Sequence, residues 1–170
     1  MIILITGATH TGKTALAQKI LEKHKFPYYS IDHIKMGLIR SKNTDLTPEN
    51  DKELTDYLWP IVREIIKTAI ENNQNLVVEG GYIPFNWKGD FSDKYLKEIQ
   101  FYCLAMTRKY IEENFSEIKK YANIIENRID DSDCTKDRLI SENEYYINMC
   151  RKYGFNCVLS DDCYNIKIEI

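Results

Sequence analysis

GATHTGKT, Gly7 to Thr14, decides how this chain is read, together with the apolar run MIILIT that leads into it. Glycines stand at the first and sixth positions of the stretch, and Lys-Thr follows the second of them, which is the spacing Gly-x-x-x-x-Gly-Lys-Thr. A loop of this kind needs a buried strand before it and a helix after it. Met1 to Ile5 is short, isoleucine-rich and uncharged, as a buried parallel strand would be. Beyond the loop, Ala15, Leu16, Ile20 and Leu21 recur at helical spacing, and Phe26-Pro27 closes the segment. Glycines let the backbone curl until successive N–H groups point inward, and the positive end of the helix dipole adds to them, so a polyanionic phosphate is held there. Gly7, Ala8, Thr9, His10, Thr11, Gly12, Lys13 and Thr14 are therefore the expected nucleotide-binding residues. Lys13 would reach the β- and γ-phosphates of ATP, and the Thr14 hydroxyl would sit on Mg²⁺.

At 170 residues the chain has room for one α/β domain, residues 1–170, and is too short for two ordinary ones. A formal net charge of −3 argues against a general nucleic-acid binder, which carries a basic field, but leaves room for a nucleotide in a local basic pocket. The five cysteines are odd in number and form no Cys-x-x-Cys. With no signal peptide ahead of them, a reduced, cytoplasmic setting is expected. The initial apolar run lacks a basic flank and is too short to span a membrane.

Strands and helices alternate along the rest of the chain. Pro27–Ile31 reads as a second strand and Asp32–Arg40 as a brief helix. Thr47-Pro48-Glu49 reads as a helix start, with Thr47 as the cap and Pro48 in the first helical position. From there Leu54, Leu58, Ile61, Ile65, Ala69 and Ile70 describe an apolar face running to about Asn72, with a kink expected between Tyr57 and Pro60. Leu76–Glu79, Ile99–Met106 and Phe155–Leu159 are the remaining strands, separated by helices over Thr107–Lys120 and Thr135–Tyr153, with Gly154 as a stop signal. This alternation predicts a parallel sheet covered on both faces.

Many proteins carry such a loop, and other stretches narrow the choice. The guanine-reading Asn-Lys-x-Asp is absent, and the chain lacks room for the accessory domains of a motor ATPase. The second strand runs into SIDHIKMGLIR, Ser30 to Arg40, and the third ends in LVVEGGY, Leu76 to Tyr82. With these patches the chain resembles the nucleotide-kinase-like group of phosphate-loop kinases, which includes adenylate kinase, zeta-toxin-type kinases, chloramphenicol phosphotransferase and 2-phosphoglycerate kinase. The resemblance implies a P-loop NTPase fold: a five-stranded parallel sheet in the order 2-3-1-4-5, helices on both faces, and a small helical lid over about residues 108–138. It implies an ATP- and Mg²⁺-dependent kinase acting on a nucleotide or another small-molecule acceptor. A zeta-toxin-like sugar-nucleotide kinase and an ATP-binding regulator or NTPase without an acceptor remain alternatives.

Within that frame Asp32 either takes the proton of an acceptor hydroxyl or orients Mg²⁺-bound water, since ligands in such sheets bind at the carboxyl ends of the strands; Asp is also a good helix cap, and both roles can hold at once. Glu79, after three apolar residues, is placed for Mg²⁺ and for substrate. Transfer needs positive charge around the transition-state oxygens, commonly from lid arginines. Arg128, in the stretch ENRIDDSDCTKDR, is the catalytic candidate, with Arg138 and Arg108 behind it. Arg40 matches the position at which adenylate kinases hold the acceptor's phosphate. The aromatic run YIPFNW, Tyr82 to Trp87, either lines an acceptor pocket or covers the sheet edge, and covering the edge is the simpler expectation. His10 and His33 stand in no ligand cluster of the sequence.

Overall fold

A computed structural model describes residues 1–121 and 134–170 of the chain. Its sheet is formed by β1 (Ile2–Gly7), β2 (Tyr28–Ser30), β3 (Leu76–Glu79), β4 (Ile99–Met106) and β5 (Cys157–Ser160). Every pairing is parallel, and the order is β2-β3-β1-β4-β5, as the resemblance implied. β1 takes the centre because it is apolar on both faces. Ile2 and Leu4 face one side, packing with Leu54, Leu58, Val62 and Ile66 of α3 (Asp51–Glu71). Ile3 and Ile5 face the other, packing with Leu16, Ala17 and Ile20 of α1 (Lys13–His24). All four β1 side chains are fully buried, each contributing about 1.5–3 kcal/mol of hydrophobic stabilisation.

The structure corrects the reading of α3 at two points. The helix begins at Asp51, not at Pro48. Thr47 belongs to a separate turn, in which its N–H donates to Asn50 Oδ1 at 2.9 Å and Asn50 N–H returns to the Thr47 carbonyl at 3.0 Å. The buried face is also rotated: Trp59, Val62 and Ile66 join Leu54, Leu58 and Ala69, while Ile61 is exposed. Both sets of residues have helical spacing, and only contact with the sheet chooses between them. The helix runs through Pro60, which lies on the exposed side, away from the sheet.

α2 (Ile31–Arg40) follows β2 without a loop. Between β3 and β4 the chain makes a 3₁₀ turn at Trp87–Asp90 and a one-turn helix, α4 (Asp93–Leu96), neither of which the periodicity reveals. α5 (Arg108–Tyr121) and α6 (Lys136–Tyr153) complete the set. α6 is fastened to the sheet by a buried amide. Asn143 Oδ1 accepts the Met106 N–H at 2.7 Å, while its amide nitrogen donates to the Leu139 carbonyl at 2.8 Å. Among the described residues no helix is long and apolar enough to cross a membrane.

Candidate functional site

The loop leaves β1 at Gly7 and enters α1 at Lys13. Gly7 has φ +142°, and a Cβ there would stand 2.1 Å from the Leu104 carbonyl oxygen of β4, so only glycine fits. Gly12 precedes α1 in the left-handed region at φ +82°, and His10 turns the loop through φ 62°, which residues other than glycine seldom adopt. The Thr11 hydroxyl closes the curl by donating to the Ala8 carbonyl at 2.7 Å, and both residues are buried beneath the loop. Lys13 lies across it. Its ammonium donates to the carbonyls of Gly7 at 3.1 Å and Ala8 at 2.8 Å, and an ammonium has a third proton to give.

Beside the loop, the Thr14 hydroxyl donates to Glu79 Oε1 at 3.3 Å. Glu79 ends β3 directly opposite Ile5 of β1, and is 2% exposed. This register is why a carboxylate at the end of an apolar strand arrives next to the residue after Lys13. A hydroxyl and a carboxylate are hard oxygen donors, the kind Mg²⁺ takes alongside its waters.

Asp32 lies in the first turn of α2, and the cap position is Ser30, so Asp32 does not cap this helix. Its carboxylate pairs with Lys35 one turn on. Lys35 donates also to the Tyr82 hydroxyl at 3.0 Å, which in turn donates to Asp51 Oδ1 at 3.2 Å. Burial alone would lower the Lys35 ammonium's pKa, but the charge of Asp32 and the hydrogen bonds outweigh it and hold the value above its ordinary one. The chain Asp32–Lys35–Tyr82–Asp51 joins α2, the aromatic run and the start of α3. Lys35 was legible as the residue three after Asp32 on a helix; Asp51 had no local signal.

These groups share a single cleft of about 1670 Å³, larger than the roughly 300–1,000 Å³ usual for one small ligand, and so able to hold two. Gly7, Thr9, His10, Gly12, Lys13, Thr14, Asp32, Glu79 and Arg138 all line it. The aromatic run divides between the two expectations. Tyr82 and Phe85 line the cleft, whereas Trp87 stacks on Phe101 and Phe155 at 5.6 and 6.1 Å between centroids and covers the sheet. Phe85 meets Tyr145 and Tyr146 of α6 at 6.3 and 5.7 Å, so one wall is aromatic.

Two contacts were beyond reading from sequence. Glu142 of α6 accepts the Thr9 N–H at 2.9 Å, placing a carboxylate on the phosphate loop. Tyr164, past β5, reaches over Gly12, its hydroxyl 3.5 Å from the Thr11 carbonyl. Partners 133 and 153 residues away leave no trace in local pattern.

The arginines are less concentrated than expected. Arg40 is exposed on the last turn of α2, about 12 Å along the helix from Asp32 at 1.5 Å per residue, and the cleft is lined without it. Arg108 is exposed and bound to Glu144 at 2.8 Å and Glu112 at 3.8 Å. Arg128 lies outside the described residues.

No family model matches the sequence, and no curated protein matches it. Solved structures do match the fold. Deoxyadenosine kinase from M. mycoides is 14% identical, with 98% of this chain and 92% of that one covered and a TM-score of 0.55. A protein from Chloroflexus aurantiacus J-10-fl, provisionally described as a kinase, is 16% identical over 95% and 88% of the two chains, with a TM-score of 0.54. Shikimate kinase from Aquifex aeolicus VF5 is 14% identical over 98% and 89%, with a TM-score of 0.50. At these identities the likeness is one of fold. The fold is that of the nucleotide-kinase-like phosphate-loop proteins.

Proposed function

We propose that the chain is an ATP- and Mg²⁺-dependent phosphotransferase acting on a small acceptor that carries a hydroxyl and a ring. The observation that carries this reading is the convergence of Lys13, Thr14, Glu79 and Asp32 on one cleft with room for two ligands. The loop amides and Lys13 would hold the nucleotide's phosphates, and Thr14 with Glu79 would hold Mg²⁺. When bound, Mg²⁺·ATP supplies the transferable phosphoryl group with part of its charge neutralised.

The chain's own residues would do the rest. Asp32 would accept the proton of the acceptor hydroxyl as the hydroxyl oxygen bonds to the γ-phosphorus and the bond from that phosphorus to ADP breaks, with ADP the leaving group, and Lys35, bound to Asp32 and to Tyr82, would keep that carboxylate in place. The wall of Phe85, Tyr145 and Tyr146 would pack against the acceptor's ring. Arg138 is the described arginine on the cleft, and with Arg128 it would offset charge in the transition state. Arg40 has no role in this reading. Catalysis here would rest mainly on positioning and electrostatics.

The test is a screen of ATP consumption by the wild-type chain with nucleosides, nucleoside monophosphates, sugars and other ring-bearing alcohols, followed by mass spectrometry of the product. The reading requires an acceptor heavier by one phosphoryl group. Hydrolysis that no acceptor accelerates, or no consumption at all, would replace it with a nucleotide-binding regulator.

A further inference from the structure

A second cluster of reactive side chains packs beneath the loop, and none of its members enters the proposed transfer chemistry. Cys103 in β4 and Cys157 in β5 are register partners on adjacent parallel strands, which sets their side chains on the same face of the sheet. Cys150 descends on that face from α6. The three sulfur atoms all lie within 4.8 Å of one another. Cys103 and Cys150 are 0% and 1% exposed, Cys157 is half-buried, and all three are free thiols. Nothing in the sequence brings them together, since their separations fit no metal-ligand spacing.

We infer that Cys103, Cys150 and Cys157 form a three-thiolate site for a thiophilic divalent d¹⁰ cation, of which Zn²⁺ is the common representative. Four considerations select this ligand. Sulfurs bound tetrahedrally at about 2.3 Å stand about 3.8 Å apart, so the trio needs to contract by no more than about 1 Å, within reach of small side-chain rotations. The surroundings are Ala8, Phe85, Phe101, Tyr146, Met149 and Phe155, a setting that favours a soft ion on sulfur over a hard ion seeking oxygen. Charge also balances. Three thiolates and a divalent ion carry one net negative charge, and the exposed Arg151 follows Cys150 directly in α6. Finally, Cys157 is the half-buried member, which gives the ion an entry path and leaves its fourth position to water.

Binding converts three thiols to thiolates and releases three protons to solvent for each ion taken up. The ion would pin β4, β5 and α6 together directly beneath Ala8, the second residue of the phosphate loop. The inference stands whether or not the chain transfers phosphate.

The experiment is anaerobic titration of the reduced, metal-free full chain with Cd²⁺, followed by the thiolate-to-metal charge-transfer absorbance, with Zn²⁺ in competition and thermal unfolding recorded in parallel. One ion per chain should bind, Zn²⁺ should displace the Cd²⁺ signal, and the melting temperature should rise. Cys150→Ala and Cys157→Ser should each weaken binding at least about 100-fold, since each removes a direct ligand where even outer partners matter by 10–100-fold. Cys134→Ala and Cys163→Ala should leave it unchanged. Where Cys150→Ala unfolds the chain, the half-buried Cys157→Ser variant decides. The inference is overturned by the absence of saturable one-ion binding, or by a signal that follows Cys134 or Cys163 instead.

Discussion

The Thr9 amide donates to the side chain of Glu142 at 2.9 Å, so a carboxylate from α6 rests on the loop that the fold uses for phosphate. The contact steadies the loop, yet under the proposed function its negative charge lies where a nucleotide's own charge would come. Glu142→Gln keeps an oxygen to accept the Thr9 N–H and removes the charge. Relief of one like-charge contact of about 4 Å, screened as in bulk water, is worth about 1 kcal/mol, and Mg²⁺·ATP affinity should therefore rise about fivefold. Isothermal titration of the two proteins measures it. Unchanged or weaker binding would mean that Glu142 serves only to hold the loop.

Glu79 offers a separate test of the proposed Mg²⁺ site. Glu79→Gln preserves the size of this buried side chain and its capacity to accept from Thr14, while weakening its interaction with a cation. The Mg²⁺ concentration needed for half of the ATP-dependent thermal stabilisation should rise about tenfold, with the melting temperature of the free protein changing little. A variant with an unaltered Mg²⁺ requirement would take Glu79 out of the metal site.

Much of the fold was open to reading because its signals are local. A strand, a glycine-spaced loop and a helix in succession over Ile2–His24 leave few architectures, and β1, apolar on both faces, has to be central. The buried face of α3 was misjudged because Ile61 and Ile65 have the same spacing as Val62 and Ile66, and the sheet, not the helix, decides which pair is covered. The candidate site was legible to the same extent. Lys13 and Thr14 are fixed by the motif, and Asp32 and Glu79 by strand ends. Glu142, Tyr164 and the cysteine trio depend on α6, β5 and the chain beyond β5 folding back across the sheet, which no window of sequence records.

Asn143 tests how α6 is held. Replacing it with leucine leaves the Met106 N–H without its acceptor in a site that is 1% exposed. An unsatisfied buried donor costs about 1–3 kcal/mol, and chemical denaturation should show a loss of that size. Because Tyr146 of the proposed acceptor wall rides on the same helix, binding of the acceptor should weaken as well. A variant as stable as wild type would show that α6 is secured by its apolar contacts alone.

Asp32→Asn is the most direct measurement, made once an acceptor is in hand. The change keeps the side chain's shape and, since Ser30 occupies the cap position, leaves the start of α2 undisturbed. It removes the charge that would receive the acceptor's proton. General-base contributions are typically about 10²–10⁴-fold in rate. The account predicts a fall in kcat of that order with the dissociation constant for Mg²⁺·ATP changed less than about threefold. Turnover equal to that of wild type, with the acceptor phosphorylated as before, would contradict it.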